Sequence, residues 1–191
     1  MPLATTSTAR IIDAIAFAAD AHRDQRRKGA DAAPYINHPI ALLRILVVEA
    51  GIDDTDVLCA AALHDYLEDC CGGSGQPTVE EGRHVVKERF GDAVLAMVDA
   101  VTDDKSLDKA ERKRLQIEHA SHLSHSARLV KLADKTANLR DISLSPPGDW
   151  SGDRIREYFA WAAAVVDQMR GTNARLEALF DAAHQAHPTT S

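Results

Sequence analysis

The stretch Ala60-Ala61-Ala62-Leu63-His64-Asp65-Tyr66-Leu67-Glu68-Asp69 decides how the whole chain is interpreted. A run of small apolar residues, which suits a buried helix, leads directly into four hydrophilic groups. His64 and Glu68 are four residues apart, and so are Asp65 and Asp69, so that each pair would lie on one side of a continuous helix. We therefore predict one buried helix that carries its polar groups at its carboxyl end and runs to about Asp69.

These four groups are consistent with either a metal site or an exposed acidic helix end. Neutral imidazole and carboxylate are ligands for Mn²⁺, Fe²⁺, Co²⁺ or Zn²⁺, and mixed nitrogen and oxygen ligation favours Mn²⁺. Acidic residues near a helix carboxyl terminus are unfavourable for the helix dipole, a cost that a nearby positive ion would relieve. The segment alone leaves both interpretations open.

The rest of the chain shows helical periodicity, with glycine and proline at the boundaries. We predict helices over about 9–24, 39–50, 53–69, 78–90, 92–101, 109–121, 127–142, 153–170 and 173–184. Thr78, with Glu81 three residues later, predicts a capping box at the start of one of them. The predicted fold class is all-α, a single compact multi-helix bundle over residues 1–191, with its core at about 9–184 and flexible termini.

Composition and charge argue against several classes of protein. The chain has 191 residues, an apolar fraction of 45% and a formal net charge of −7. An acidic balance does not fit a general nucleic-acid binder, and no apolar run reaches the roughly 18–20 residues that a membrane span needs. A polar N-terminus and three cysteines without a CxxC pair predict a cytoplasmic location.

Two further segments place hydrophilic groups in apolar surroundings. His38, in Tyr35-Ile36-Asn37-His38-Pro39, stands at the start of a predicted helix and, taken alone, is interpreted as a helix cap. Asp134 follows a largely apolar stretch, and a buried carboxylate requires a cation, either Lys, Arg or a metal. Asn138 lies one turn later on the same helix face and Lys131 one turn earlier.

The order of these motifs resembles the H…HD…D signature of the HD phosphohydrolases. The surrounding segments are similar to the hydrolase domain of the bifunctional RelA/SpoT proteins and, more narrowly, to the stand-alone small alarmone hydrolases of the Mesh1 type. The similar segments are 25–28, 34–39, 62–69, 101–105, 130–140 and 157–162. The resemblance extends over about residues 9–179, nearly the whole chain.

The resemblance implies a Mn²⁺-dependent hydrolase that removes pyrophosphate from the 3′ position of (p)ppGpp and leaves GDP or GTP. The metal ligands that it implies are His38, His64, Asp65 and Asp134. The pair implied to position and deprotonate the attacking water is Glu68 and Asp69. The predicted substrate-binding residues are Arg27 and Lys28 at the base, Asn138 at the ribose, and Lys131 and Arg140 within the positively charged segment 128–140.

A strongly anionic substrate requires local positive charge in this acidic chain. Segments 23–28, 109–114 and 128–140 each carry an excess of basic residues, which would form a phosphate-facing rim if they converge. We assign this role to Arg27 and Lys28, beside His38, and interpret most of 109–114 as an ordinary solvated helix face.

Other functions remain open at this point. The same site could act as a phosphatase on another nucleotide, such as the 2′-phosphate of NADPH, and the product would distinguish the two activities. A non-catalytic nucleotide sensor would not need Glu68 and Asp69, and an iron-loaded oxygenase would need further metal ligands. We expect a small-molecule partner and neither nucleic acid nor membrane, while a homo-oligomer stays open.

Two departures from the family pattern leave the substrate preference undecided. Tyr66 follows the His64-Asp65 pair, where Thr or Val is usual, and could narrow the pocket or supply a hydroxyl. The loop 70–75 is longer and richer in glycine than is usual.

Overall fold

A computed structural model describes residues 6–29 and 31–186, and within these ranges the chain is helical and contains no strand. The α-helices are α1 (Ser7–Ala21), α2 (Asn37–Arg44), α3 (Thr55–Leu63), α4 (Tyr66–Asp69), α5 (Val79–Phe90), α6 (Asp92–Val101), α7 (Lys109–Ala120), α8 (His125–Leu144), α9 (Gly152–Asp167) and α10 (Ala174–Gln185). A π-helical turn (Ile45–Glu49) continues α2. The predicted all-α fold class is confirmed, while the termini that we expected to be flexible lie mostly outside the described ranges.

Local sequence signals explain most of the helix ends. The Thr78 hydroxyl accepts a hydrogen bond from the backbone N–H of Glu81 at 3.2 Å, and the Glu81 carboxylate accepts one from the Thr78 N–H at 2.7 Å. This is the predicted capping box, in which two otherwise unpaired donors are satisfied at once. Gly91 separates α5 from α6 with a φ of 98°, a backbone conformation that glycine adopts without a steric penalty.

The helix predicted over 39–50 differs from the observed one at both ends. It begins at Asn37, and its last turn is π-helical, with the N–H of Ala50 donating to the Ile45 carbonyl at 2.8 Å. The predicted stop at Gly51 is confirmed by a φ of 72°, which lies in the left-handed region.

The continuous helix predicted up to Asp69 is wrong, because α3 ends at Leu63 and α4 begins only at Tyr66. Asp65 has φ −100° and ψ 0°, in the sparsely populated region between helix and strand. Adjacent residues of a regular helix point in different directions. The break instead lets His64 and Asp65 turn toward the same point.

Helix α3 occupies the centre of the bundle. Its side chains from Val57 to Leu63 are all buried, and it packs against α1, α2, α6 and α8. Cys59 is fully buried in this helix. The buried apolar side chains of the described part of the chain form one continuous cluster, although the assignment of a single domain stays a prediction. None of the helices in that part combines the length and the apolar character needed to traverse a bilayer.

Candidate functional site

Four side chains from three separate elements converge where the end of α3 meets α2 and α8. His38 lies in the first turn of α2, His64 and Asp65 form the break after α3, and Asp134 lies in the middle of α8. His64 Nε2 is 2.8 Å from Asp65 Oδ2 and 3.9 Å from Asp134 Oδ1. His38 Nε2 is 3.2 Å from Asp134 Oδ1 and 4.0 Å from Asp65 Oδ2. All four side chains are therefore brought together, although more than sixty positions separate His64 from Asp134.

The donor set fits a divalent metal ion. Imidazole nitrogens and carboxylate oxygens bind such ions at about 2.0–2.2 Å, which places neighbouring ligand atoms about 3.0–3.5 Å apart. The distances of 2.8–4.0 Å observed here bracket that range. Nε2 of His64 is buried, and its 2.8 Å contact with Asp65 Oδ2 lacks the geometry of a hydrogen bond, while Nδ1 of the same ring donates to the Ala61 carbonyl at 2.9 Å. This second contact fixes the ring so that Nε2 faces the cluster.

The two carboxylates of the cluster demand positive charge. Burial by itself would lower the pKa of His64, but the Asp65 carboxylate, with Asp134 beyond it, outweighs burial and raises that pKa to about 9. The pKa of His38 is lowered, chiefly by burial, which favours the neutral imidazole that can bind a metal. Without an ion, a proton on His64 offsets the two carboxylates. A dication would replace that proton and balance both charges.

Each carboxylate of the cluster is held by a further side chain. The Tyr35 hydroxyl donates a short hydrogen bond to Asp65 Oδ2. Asn138 donates to Asp134 Oδ1 at 2.5 Å, and the Lys135 ammonium donates to Asp134 Oδ2 at 3.2 Å. Such outer contacts orient metal ligands and are needed for affinity. Tyr35 and Lys135 lie within the segments that resemble the family, but sequence alone gave them no role, because a motif does not show which neighbour a side chain contacts.

The predicted catalytic pair lies on α4, directly after the break. Glu68 Oε2 accepts a hydrogen bond from the backbone N–H of Asp103 at 3.2 Å, and its Oε1 is 3.9 Å from Nη1 of Arg112. Asp69 is held on both oxygens, by Gln25 Nε2 at 2.7 Å and by Lys105 Nζ at 2.5 Å. A cleft of about 560 Å³ runs beside Glu68 and Asp69.

The surroundings of Glu68 change its acidity. Burial, followed by the negative charges of Asp65 and Asp103, raises the pKa of Glu68 to about 7. A carboxylate with a pKa near neutrality can both accept and release a proton at physiological pH. Because both oxygens of Asp69 are already occupied by donors, Glu68 is the better placed proton acceptor, and Asp69 is suited to orienting its surroundings.

The predicted substrate-binding residues divide into three groups. Arg27 Nη2 lies 2.8 Å from Asn138 Oδ1 and 2.7 Å from Asp141 Oδ2, so Arg27 and Asn138 meet beside the cluster. Lys131 is buried behind Asp134 and donates to the Val101 carbonyl at 3.1 Å. Arg140 is not brought to the cluster. Both of its terminal nitrogens instead pair with the Glu49 carboxylate at 2.9 Å.

Segment 109–114, interpreted from the sequence as a mostly solvated face, is exposed at Lys109 and Arg114 and half-buried at Arg112 and Lys113. Burial, followed by the charges of Arg154, Lys28 and Arg112, lowers the pKa of Lys109, so these cations face one another. We name Lys28, Lys109, Arg112, Lys113 and Arg154 the cationic rim. The sequence of α7 alone does not predict this cluster, because the cations of α7 meet Arg154 only when α9 packs beside α7.

Aromatic side chains of α9 and the segment before it line this rim. The Lys113 ammonium lies 4.9 Å from the centre of the Trp161 ring, and the Lys135 ammonium lies 4.4 Å from it. The guanidinium of Arg154 lies 4.5 Å from the Trp150 ring. These distances are those of cation–π contacts, which hold the cations in place. The wall therefore combines flat apolar faces with positive charge.

The Tyr66 side chain does not line the cleft beside Glu68 and Asp69. Its ring packs edge-on against Phe17 at 4.8 Å between ring centres and is buried. Gly82 makes room for this arrangement, because a Cβ at that position would lie 2.5 Å from Cys71 Sγ and 3.5 Å from the Tyr66 ring. The tyrosine neither narrows the pocket nor supplies it with a hydroxyl. The glycine-rich loop does border the site, since Gly72 and Gly73 line the cleft beside Asp69.

Comparisons with known proteins show which family this chain resembles. The HD domain family profile matches residues 14–154. The guanosine-3′,5′-bis(diphosphate) 3′-pyrophosphohydrolase MESH1 of Danio rerio is 51% identical over 172 residues, which cover 90% of this chain and 91% of the relative. The protein of the same name from Homo sapiens is also 51% identical, with the same coverage.

A solved structure agrees with these sequence matches. It belongs to "a metazoan ortholog of SpoT" that "hydrolyzes ppGpp", and it superimposes with a TM-score of 0.85 at 46% identity, covering 95% of this chain and 97% of the other. The match extends over the described helices as well as the motifs. The chain therefore belongs to the HD domain family and, within it, to the group of the MESH1 proteins.

Proposed function

We propose that this protein is a guanosine-3′,5′-bis(diphosphate) 3′-pyrophosphohydrolase that uses Mn²⁺. The observation that carries the proposal is the convergence of His38, His64, Asp65 and Asp134, in which each histidine Nε2 lies 2.8–4.0 Å from an oxygen of each aspartate. Glu68 lies close enough for the charge of Asp65 to act on it. Relatives that share about half of their residues with this chain carry the name of that activity. A cytoplasmic location and a homo-oligomeric state stay predictions.

The four converging side chains would hold the dication. Two neutral imidazoles and two carboxylates match the charge of one divalent ion and leave coordination positions for water and substrate. When bound, the ion supplies positive charge that offsets the charge of the phosphate and makes water a stronger nucleophile. Mn²⁺ is the proposed ion because the ligand set is half nitrogen and half oxygen.

Glu68 accepts the proton of the attacking water. Its pKa of about 7 makes it a base that is ionised at or just above neutral pH. The water oxygen forms a bond to the phosphorus attached at the 3′ oxygen, and the bond between that phosphorus and the 3′ oxygen breaks. The 3′ oxygen takes up a proton, and the products are pyrophosphate and GDP or GTP. Asp69, held by Gln25 and Lys105, keeps the water side of the site in place.

The cationic rim and its aromatic wall bind the nucleotide. Positive charge on Lys109, Lys113 and Arg154 compensates the 5′ phosphates of a substrate that the net charge of the chain would repel. Arg27 and Asn138, already in contact, present donors and an acceptor next to the metal ligand Asp134. A compact phosphate ester bound at the metal ligands would not reach the rim. The rim therefore favours a larger nucleotide as the substrate.

The test is turnover by the Mn²⁺-loaded protein with product identification. The substrates are ppGpp, pppGpp, NADPH and simple nucleotides, and pyrophosphate is measured separately from orthophosphate. We expect pyrophosphate from ppGpp and pppGpp. Release of orthophosphate from NADPH with no pyrophosphate from ppGpp would favour the phosphatase instead. Nucleotide binding without any product would favour a sensor.

A further inference from the structure

A small cavity lies close to Glu68 and is lined in part by Arg112 of the cationic rim. Its volume is about 190 Å³. It is bounded by α7, by α8, and by the end of α6 together with the segment that follows α6. Asp103 is shared by the cavity and the site, since its N–H donates to Glu68. Arg112 is shared as well, with Nη1 at 3.9 Å from the Glu68 carboxylate.

The cavity contains donors that lack acceptors. Lys131 lines it with an ammonium group that has three donors but a single hydrogen bond, to the Val101 carbonyl at 3.1 Å. Its side chain is 7% exposed, so solvent cannot satisfy the remaining donors freely. Nε of Arg112 is also buried without an acceptor. Unpaired buried donors of two cations are costly, and an oxyanion would satisfy both.

The two acidic residues of the lining already accept hydrogen bonds. Asp103 Oδ2 accepts a hydrogen bond from Gln116 Nε2 at 2.7 Å. Asp104 is exposed and accepts from the N–H of Ser106 at 2.9 Å. The buried part of the cavity therefore presents positive charge, while its negative charge lies toward solvent or is already hydrogen-bonded.

We propose that this cavity binds the distal phosphate of the 3′-diphosphate, with Lys131 and Arg112 as its donors. This assignment rests on the function proposed above and extends it to the part of the substrate that leaves as pyrophosphate. The phosphorus that is attacked stays at the metal ligands, and the second phosphate, one bridging oxygen away, enters the cavity beside Glu68. A substrate with a single 3′ phosphate would leave the cavity empty.

The test compares two substrates that differ only in this phosphate: guanosine 5′-diphosphate 3′-diphosphate and guanosine 5′-diphosphate 3′-monophosphate. In the Mn²⁺-loaded Lys131→Met variant we expect kcat/KM for the diphosphate to fall about tenfold to a hundredfold, the size of a lost charge-assisted hydrogen bond. We expect the value for the monophosphate to stay within about threefold. Lys131→Arg should recover part of the difference. Lys87→Met, which removes an exposed lysine of α5 paired with Asp92, should change neither value.

Every outcome bears on the cavity. Equal losses on the two substrates, or no loss on either, would overturn the assignment. Gln116→Glu, which adds a carboxylate to the same cavity, should reproduce the selective loss even if Lys131→Met folds poorly. If the wild-type protein cleaves neither substrate, the proposed function is refuted. The role of the cavity is then tested separately, by calorimetric measurement of phosphate binding. Metal-free wild type should bind pyrophosphate at least fivefold more tightly than orthophosphate, and an equal affinity for the two would refute the proposal.

Discussion

The cluster of His38, His64, Asp65 and Asp134 is linked to the cationic rim through Lys135, which contacts both Asp134 and Trp161, yet the two are built in opposite ways. The cluster consists of two buried histidines and two half-buried aspartates at a helix start, a helix break and a helix centre, where polar groups are unusual. The rim consists of half-buried or exposed cations on helices and on one loop, where cations are ordinary. The comparison shows that a residue is easily found from sequence when its environment makes it anomalous, and easily missed when tertiary packing alone gives it a role.

The largest effect is expected in the cluster. Asp65→Ala removes one ligand and leaves His64 without its nearest carboxylate, so we expect metal binding and turnover to be lost together, with activity down at least about 10³-fold. Metal content by elemental analysis and pyrophosphate release measure the two effects. Asp20→Ala, which removes an exposed aspartate paired with Arg23, is the control. A fully active Asp65→Ala protein would refute the ligand assignment.

The next effect separates chemistry from metal binding. Glu68→Gln keeps the shape of the side chain but cannot accept a proton, so we expect full metal content and a kcat lowered about 10²–10⁴-fold. In the wild type, Glu68 is protonated below its pKa of about 7, and activity should fall as the pH drops through that value. The variant should lack this acid limb. An unchanged pH profile in the variant would assign the proton acceptor to another group.

A smaller effect is expected in the rim. Lys113→Met removes a cation beside Trp161, and we expect KM for ppGpp to rise about threefold to tenfold with little change in kcat, because the group contacts substrate far from the bond that breaks. Steady-state kinetics at two salt concentrations measure this effect. Arg114→Met is the matched control, since Arg114 follows on the same helix but pairs with Glu111 and Glu118. Equal effects of both substitutions would mean that the rim has no specific role.

The smallest effect concerns Arg140, which the sequence assigned to substrate binding. Its bidentate pair with Glu49 ties α8 to the π-helical turn, so Arg140→Ala should leave KM unchanged. We expect a loss of stability of about 1 kcal/mol, which lowers the melting temperature by roughly 2–4 °C in a chain of this size. Calorimetry and kinetics check both statements, and a KM raised several-fold would return Arg140 to the substrate site.

Most helices and the buried setting of Asp134 were predictable from local sequence signatures, whereas His38 was assigned to the cluster only through the family resemblance. Thr78 with Glu81 identified a helix start, and Asp134 was conspicuous as a carboxylate after an apolar run. The break at Asp65 was not predictable, since periodicity continues through it and the bend serves only to aim two adjacent side chains at one point. The contact of Arg140 with Glu49 was hidden for a similar reason, because the two residues lie on different helices.

Crystals grown with Mn²⁺ test whether His38, His64, Asp65 and Asp134 bind one divalent ion. Anomalous diffraction near the manganese absorption edge should show one peak at about 2.0–2.3 Å from His38 Nε2, His64 Nε2, Asp65 Oδ2 and Asp134 Oδ1. A peak coordinated without His38 or without Asp134, or no peak among these residues, would refute the four-ligand site.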